Sequence, residues 1–417
     1  MDGHRLPLWR ACGVNMKFGG TSAAVWGLPL AVVIIALALI AGSAGGVSEH
    51  GGGLALTGAV GIGIAVMMMR KGTLWAGGFT LAVIAAIQGY GWAPFGAHAP
   101  FESLAPSLAL AAIFSAGVAG RRFEIARTRA HLRRAFADAL PVSALDSIAR
   151  DPDLLKTEGE QRTLSCLACG VRNYEALGES FAGNPAGLTR MIGSVMTPLV
   201  DIALASGAMV DCVTGAGFIA YWNAPLVDPE HALHACEAAG RMVEALAAAS
   251  TSVTIGIGLA TDLAIVGGLG ARGRMAYCVA GPCKRLAEQL LAQSAQYGMA
   301  VVASDQTRKL AGSGHAFLEV DAIASEPREE PLSVFAMLGN SAFRASPKFR
   351  ALATFHERIF EALRAQQWAD ARERIEQCRK LSGANQPLYD LYLDRIRHLE
   401  DNPPAADWDG VFRAALN

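Results

Sequence analysis

Four long stretches of the first 120 residues carry no Asp, Glu, Lys or Arg, and this constrains the fold more than any other feature of the chain. Thr21 to Ser48, Gly51 to Met69 and Gly72 to Gly96 are uncharged, and Leu104 to Gly120 is a shorter Ala/Gly/Leu run. Crossing ~30 Å of hydrocarbon takes roughly 20 apolar residues, so a four-helix transmembrane module is expected over residues 21–120, after a cytosolic tail at 1–20. The chain as a whole points the same way. Its 417 residues are 52% hydrophobic and 18% charged, with mean hydropathy +0.29, too apolar for an ordinary soluble protein of this length. A cleaved signal peptide does not account for the first run, which is too long and is embedded in a multi-span pattern.

Short cytosolic loops retain positive charge. Arg5, Arg10 and Lys17 precede the first run, Arg70 and Lys71 separate the second and third, and Arg121, Arg122, Arg127, Arg129, Arg133 and Arg134 follow the fourth. The segments around Glu49 and Glu102 hold no Lys or Arg. Both termini are therefore expected in the cytosol, with the chain a multi-pass protein of the plasma (inner) membrane. The Arg-rich stretch reads as a segment attracted to anionic membrane lipid. A net charge of −1 gives no electrostatic reason to expect nucleic acid as a partner. The eight cysteines are expected as reduced thiols.

Residues 121–160 read as a basic helical connector: an amphipathic helix to Leu140, a break at Pro141, then a short helix from Ser143 to Arg150 ending near Pro152. From 161 to 340 the pattern alternates strands and helices. Strands are expected at Leu164–Val171 and Met299–Ala303, a hairpin over Met209–Trp222 turning at Thr214 and Gly215, and two strands joined near Thr261 and Asp262. Helices are expected at Pro185–Ala205, Pro229–Ala249 and Pro282–Ser294. The result is an α+β domain, one ferredoxin-like sheet flanked by helices. Residues 341–417 form a C-terminal helical extension with apolar positions at Phe355, Ile359, Leu363, Leu388, Leu391 and Ile396. It is either one unit of a helical-hairpin array or a cap on the preceding domain.

Several stretches of the central domain occur in a fixed order. Val171, Arg172, Asn173 and Tyr174 follow the first strand. Tyr221 to Pro225, then Asp228, Pro229 and His231, follow the hairpin. Gly256, Ile257 and Gly258, then Val266, Gly267 and Gly270, mark the next strands. In this order they resemble the class III adenylate/guanylate cyclase domain, and the resemblance extends through the flanks from Arg122 to Pro403, Pro404 and Trp408.

The resemblance implies a reaction in which the ribose 3'-oxygen attacks the α-phosphorus and pyrophosphate leaves. Two aspartates hold two divalent metal ions, a Lys and an Asp or Thr read the purine, and an Asn and an Arg clamp the ribose and the transition state. Here the metal positions hold Gly170 and Ala216, the purine positions Cys212 and Pro282, and the remaining two Arg285 and Gln289. Asp211, beside the purine position, is retained. No cofactor is therefore expected. Two Mg or Mn ions return only under the alternative, an active adenylate or guanylate cyclase with an atypical site. Glu175, Asp201 and Asp211 are the nearest acids, but a one-residue slip on a strand turns a side chain to the opposite face. The family pairs head to tail, which implies a homodimer, or a heterodimer with another cyclase-domain protein, serving regulation or dimerisation in cyclic-nucleotide signalling.

Other candidates carry less. Cys166 and Cys169 form a C-x-x-C, and Cys212, Cys278 and Cys283 fall at or beside the same positions. They are either a thiol cluster or small apolar fillers, and a strand sends residues three apart to opposite faces. Lys284 and Arg285 leave positive charge for weak nucleotide binding, or are a solvated helix start. His231 and His234, three apart on a helix, lack a carboxylate at ligand spacing. Met67, Met68 and Met69 read as lipid or packing contacts.

Overall fold

The computed structural model describes residues 59–67, 73–91, 104–136 and 139–411, apart from 157, 250, 272–273, 324–330, 381–384 and 406–407. Two units are resolved by their internal packing, Met16–Arg133 and the segment from Arg134 onward.

In the first unit, residues 59–67 are helical, followed by α1 (Thr73–Gly91) and α2 (Leu104–Phe136). The first uncharged run lies outside the described residues. The expected second, third and fourth runs each contain helix. Among the described residues, however, the one helix long and apolar enough to cross a membrane is Pro185–Ala205, while the apolar part of α1, Thr73–Gln88, is shorter. Four membrane-spanning helices are thus not reproduced among the described residues. Pro185–Ala205 passes the same test for another reason, since it buries Ile192, Val195, Met196 and Leu199 in a protein core.

The second unit begins with α3 (Val142–Arg150) and a 3-10 turn at Pro152–Leu154. Then come β1 (Glu160–Val171), α4 (Tyr174–Ser180), α5 (Pro185–Ala205), β2 (Met209–Thr214), β3 (Gly217–Trp222), α6 (His231–Ala248), β4 (Ile255–Ala271), β5 (Arg274–Ala280), α7 (Pro282–Gln296), β6 (Val301–Ser304), α8 (Asp305–Ala311), β7 (His315–Ile323) and β8 (Leu332–Asn340). Four helices close it: α9 (Ser341–Ala345), α10 (Pro347–Arg364), α11 (Trp368–Arg379) and α12 (Gln386–Asp401). The strands form one mixed sheet in the order β2-β3-β1-β4-β6-β8-β7, with β5 paired to β4. This is the expected α+β arrangement of a sheet flanked by helices.

One expected turn lies elsewhere. The chain does not turn at Thr261 and Asp262, because β4 runs straight through them in register with Ser165 and Leu164 of β1. Thr261 is held in the strand by its buried hydroxyl, which bonds Ser165 Oγ at 2.7 Å and Thr307 Oγ1 at 2.9 Å.

Alternation along β1 divides the packing. Leu167, Cys169 and Val171 join Trp222, Ile257 and Leu259 in the core beneath α5 and α6. Leu164, Cys166 and Ala168 are buried on the other face, where α7 lies directly on the sheet. A Cβ at Gly258 would stand 2.1 Å from the Ala287 carbonyl oxygen, and one at Gly256 2.4 Å from Ser294 Oγ.

The C-terminal helices are a cap on this domain. They cover the edge strand β7, which α9 and α10 contact. Arg395 of α12 places Nη1 2.9 Å and Nη2 2.8 Å from the two oxygens of Asp321, which also accepts from Tyr297 Oη at 2.7 Å. Tyr392 Oη donates to Val320 O, and Asn385 Nδ2 to Tyr297 O. Leaving Asp321 buried without its guanidinium would cost far more than an exposed pair contributes.

Behind this contact His356, 2% exposed, shares a 2.8 Å hydrogen bond with Tyr389 Oη, and burial pushes its imidazole down to about 4. A histidine whose folded pKa lies below the unfolded value of about 6.5 stabilises fully above that pH and loses the contribution as pH falls. Burial lowers His231 and His315 in the same sense, while the Asp228 carboxylate raises His234. The unfolding free energy should therefore drop between pH 6.5 and 4, with His356 alone accounting for about 3 kcal/mol. His356→Phe should flatten most of that slope in thermal melts followed by tryptophan fluorescence. An unchanged slope would assign the loss elsewhere.

Candidate functional site

The motif residues and their neighbours outside the six positions that the resemblance assigns to the site hold backbone in place. Asn223, with φ 71°, donates to Thr163 O at 2.9 Å and accepts from Asp228 N at 2.7 Å. Arg162 Nη1 donates to Asn223 O at 2.8 Å and Pro225 O at 3.0 Å, and Trp222 Nε1 to Ser206 O at 3.1 Å. Asn173 bridges the β4 approach through Ser252 O and Thr254 N. Arg172 Nη2 donates to Met299 O, and burial lowers the pKa of that guanidinium.

The structure distributes the six positions over three places. Gly170 is the penultimate residue of β1, opposite Gly217 and Gly256. Ala216 sits in the β2–β3 turn, and its carbonyl accepts from Val171 N at 2.7 Å. These two positions, which the resemblance assigns to metal, are neighbours, since a Cβ at Gly170 would lie 3.7 Å from Ala216 O. Cys212 lies on β2, just past a bulge that follows Val210. Pro282 opens α7, and Arg285 and Gln289 follow at helical spacing on a flank of the helix, because Cys283, Ala287, Leu290 and Ser294 take the buried face. The Lys284 Nζ to Asp211 Oδ2 contact of 3.8 Å joins α7 to β2.

Do these residues suit two hard cations? Glycine and alanine offer no side-chain donor, and Mg or Mn requires several oxygens. An added Cβ at Gly170 meets Leu291 Cδ2 at 3.0 Å, so a larger side chain there would have to push an apolar neighbour aside. Glu175 and Asp201 are exposed on α4 and α5. Among the described residues no group of three or more His, Cys, Asp or Glu converges. The residues present do not fit the metal pair.

Sequence reasoning missed two arrangements that depend on distant strands and helices. One is the buried chain from His231 Nδ1 to Ser165 Oγ, 2.9 Å, and on through Thr261 and Thr307 to Ser304. It satisfies His231 inside the domain, as Asp228 satisfies His234 at 2.8 Å. The other is a groove of about 440 Å³ between α5 and the β2–β3 hairpin, walled by Tyr174, Ile192, Met196, Val213 and Gly215 with Asp201 at its side.

No family model matches the chain. Adenylate cyclase 1 of Rhizobium meliloti (strain 1021) is 24% identical over 164 residues, covering 37% of this chain and 25% of the relative. The chain is similar to class III adenylyl and guanylyl cyclase domains. It spans about a quarter of the length of the curated relative it matches. Solved structures with similarity include the guanylyl cyclase Cya2, at 20% identity over 44% of this chain and 94% of that one, TM-score 0.38. The adenylyl cyclase CyaB from P. aeruginosa is 21% identical over 43% and 96%, TM-score 0.39.

Because Leu291 occupies the space above position 170, Gly170→Asp should destabilise the cyclase-like domain by about 1–3 kcal/mol through overpacking. Adding Leu291→Ala should return part of that loss. A double-mutant cycle of denaturant midpoints measures the coupling, and simple additivity would place Leu291 elsewhere in solution.

Proposed function

We propose that this chain is a membrane-anchored, catalytically silent relative of class III cyclases that acts by pairing through its cyclase-like domain. The observation that carries this reading is the former metal position: Gly170 and Ala216 supply no ligand, and Leu291 packs against the first of them. Electrostatic preorganisation supplies most of the rate in phosphoryl-type chemistry. A site lacking both carboxylates, the purine-reading Lys and the ribose-clamping Asn and Arg has nothing left to preorganise.

Membrane anchoring is supported by the uncharged runs and by the one-sided distribution of Arg and Lys. The helix α2 is continuous from its apolar start into the Arg-rich stretch, which suits a connector between spans and domain. In a head-to-tail dimer each site draws its metal ligands from one protomer and its base contacts from the other. A homodimer of this chain has neither half, and a heterodimer leaves both sites of a competent partner incomplete. The proposed role is therefore inhibitory or scaffolding, with lipid and a second cyclase-domain protein as partners. Lys284 and Arg285 support at most weak nucleotide binding.

Purified full chain incubated with ATP or GTP and Mn²⁺ should form no cyclic nucleotide above a blank. Steady production by the wild-type chain would defeat this reading in favour of an active cyclase with an atypical site.

A further inference from the structure

Two thiols lie close together on the face of the sheet that α7 covers. Cys166 is in the middle of β1, with Tyr221 of β3 and Ala260 of β4 as its register partners. Cys283 is the second residue of α7. Its Sγ stands 3.5 Å from Ala260 O and 3.7 Å from Leu164 O, over the strand pair that carries Cys166, and the Cys283 thiol is close enough to act on the Cys166 thiol electrostatically. Both are fully buried. Cys169 faces the opposite core with α5 and α6, so the C-x-x-C spacing separates its own two sulfurs.

The surroundings favour a neutral product. Tyr221 Oη is buried nearby with no hydrogen-bond partner among the described residues, and burial drives the Cys166 thiol well above its ordinary pKa, with the Cys283 thiol the next cause. Two thiolates or a charged metal complex would be costly here, whereas a disulfide carries no charge. Gly281, Pro282 and Arg285 are exposed, so Cys283 lies one residue from solvent in a terminal helical turn, where fraying is easiest.

We propose that Cys166 and Cys283 form a reversible disulfide in the presence of hydrogen peroxide, locking the first turn of α7 onto β1. The Cys283 thiolate attacks a peroxide oxygen, giving a sulfenic acid and hydroxide, which takes up the proton the thiol released. The Cys166 sulfur then attacks the sulfenic sulfur as its own proton leaves with the departing hydroxide. The sum is two thiols and one peroxide to one disulfide and two waters, and a dithiol reductant reverses it. The latch would fix the helix that carries Lys284, Arg285 and Gln289. It is independent of the pseudocyclase reading, which stands whether or not the bond forms.

The test uses the full chain in mild detergent, treated with hydrogen peroxide, acid-quenched, alkylated with N-ethylmaleimide under denaturing conditions and digested with trypsin without reductant. The expected result is a cross-link between the peptides 163–172 and 275–284. Fragmentation should assign it to Cys166 and Cys283, and dithiothreitol should remove it. Cys283→Ser should abolish the link, while Cys169→Ala and Cys278→Ala should leave it. In the oxidised wild type, amide exchange over 281–285 should slow. Recovery of Cys166 and Cys283 as alkylated thiols or as unlinked sulfinic acids, from a chain whose circular dichroism is unchanged, would overturn the proposal, as would a link that forms only after denaturation.

Discussion

The structure depends first on how closely α7 approaches the sheet. Glycines at 170, 256 and 258 give the helix a track with no side chains beneath it, and a single Cβ at Gly258 would overlap the Ala287 carbonyl. That short distance sets the reach of every α7 side chain. It lets Cys283 touch the carbonyls of Leu164 and Ala260, lets Leu291 fill the space above Gly170, and brings Lys284 to Asp211. At the far end of the helix Tyr297 reaches Asp321, which couples the same helix to the C-terminal cap.

The cap answers a different physical need. An edge strand exposes unpaired backbone groups, and β7 would be such an edge without α9, α10 and α12 against it. The Asp321–Arg395 fork and the Tyr392 hydroxyl hold that cover through charge-assisted and backbone-directed hydrogen bonds. At the other edge, Val210 N of β2 donates to Ala139 O at 2.8 Å, so the segment after α2 contacts the sheet one residue before Asp211. Both flanks of the cyclase-like domain are thereby joined to its edge strands, and the C-terminal flank also meets the end of α7 through Asn385 and Tyr297.

Much of the fold was legible because its signals are local. Asn184 caps α5 by accepting from Gly187 N at 2.9 Å, Pro282 starts α7, and alternation in β1 announces its two faces. Other features were not, because their causes lie far apart in sequence. Thr261 and Asp262 read as a turn until β1 is known to pair straight across them. The helix Pro185–Ala205 is as apolar as a membrane span because hydrophobic pattern reports burial without naming the medium. For the cap, apolar positions such as Ile359 and Ile396 signalled helices that bury a face, while Asp321 as their charged anchor sits on a strand in another segment.

The amino-acid sequence by itself determined which groups are available: no carboxylates at positions 170 and 216, no lysine at 212, and thiols at 166, 169 and 283. Those are matters of composition at fixed places in the chain, and packing cannot add a donor atom to glycine or alanine. Only the tertiary structure decided which of these groups meet. It put Cys166 on the same face as Cys283 and away from Cys169, brought Leu291 beside Gly170, and joined Arg395 to Asp321, because the faces of a sheet and the distance of a helix from it are properties of the assembled layers.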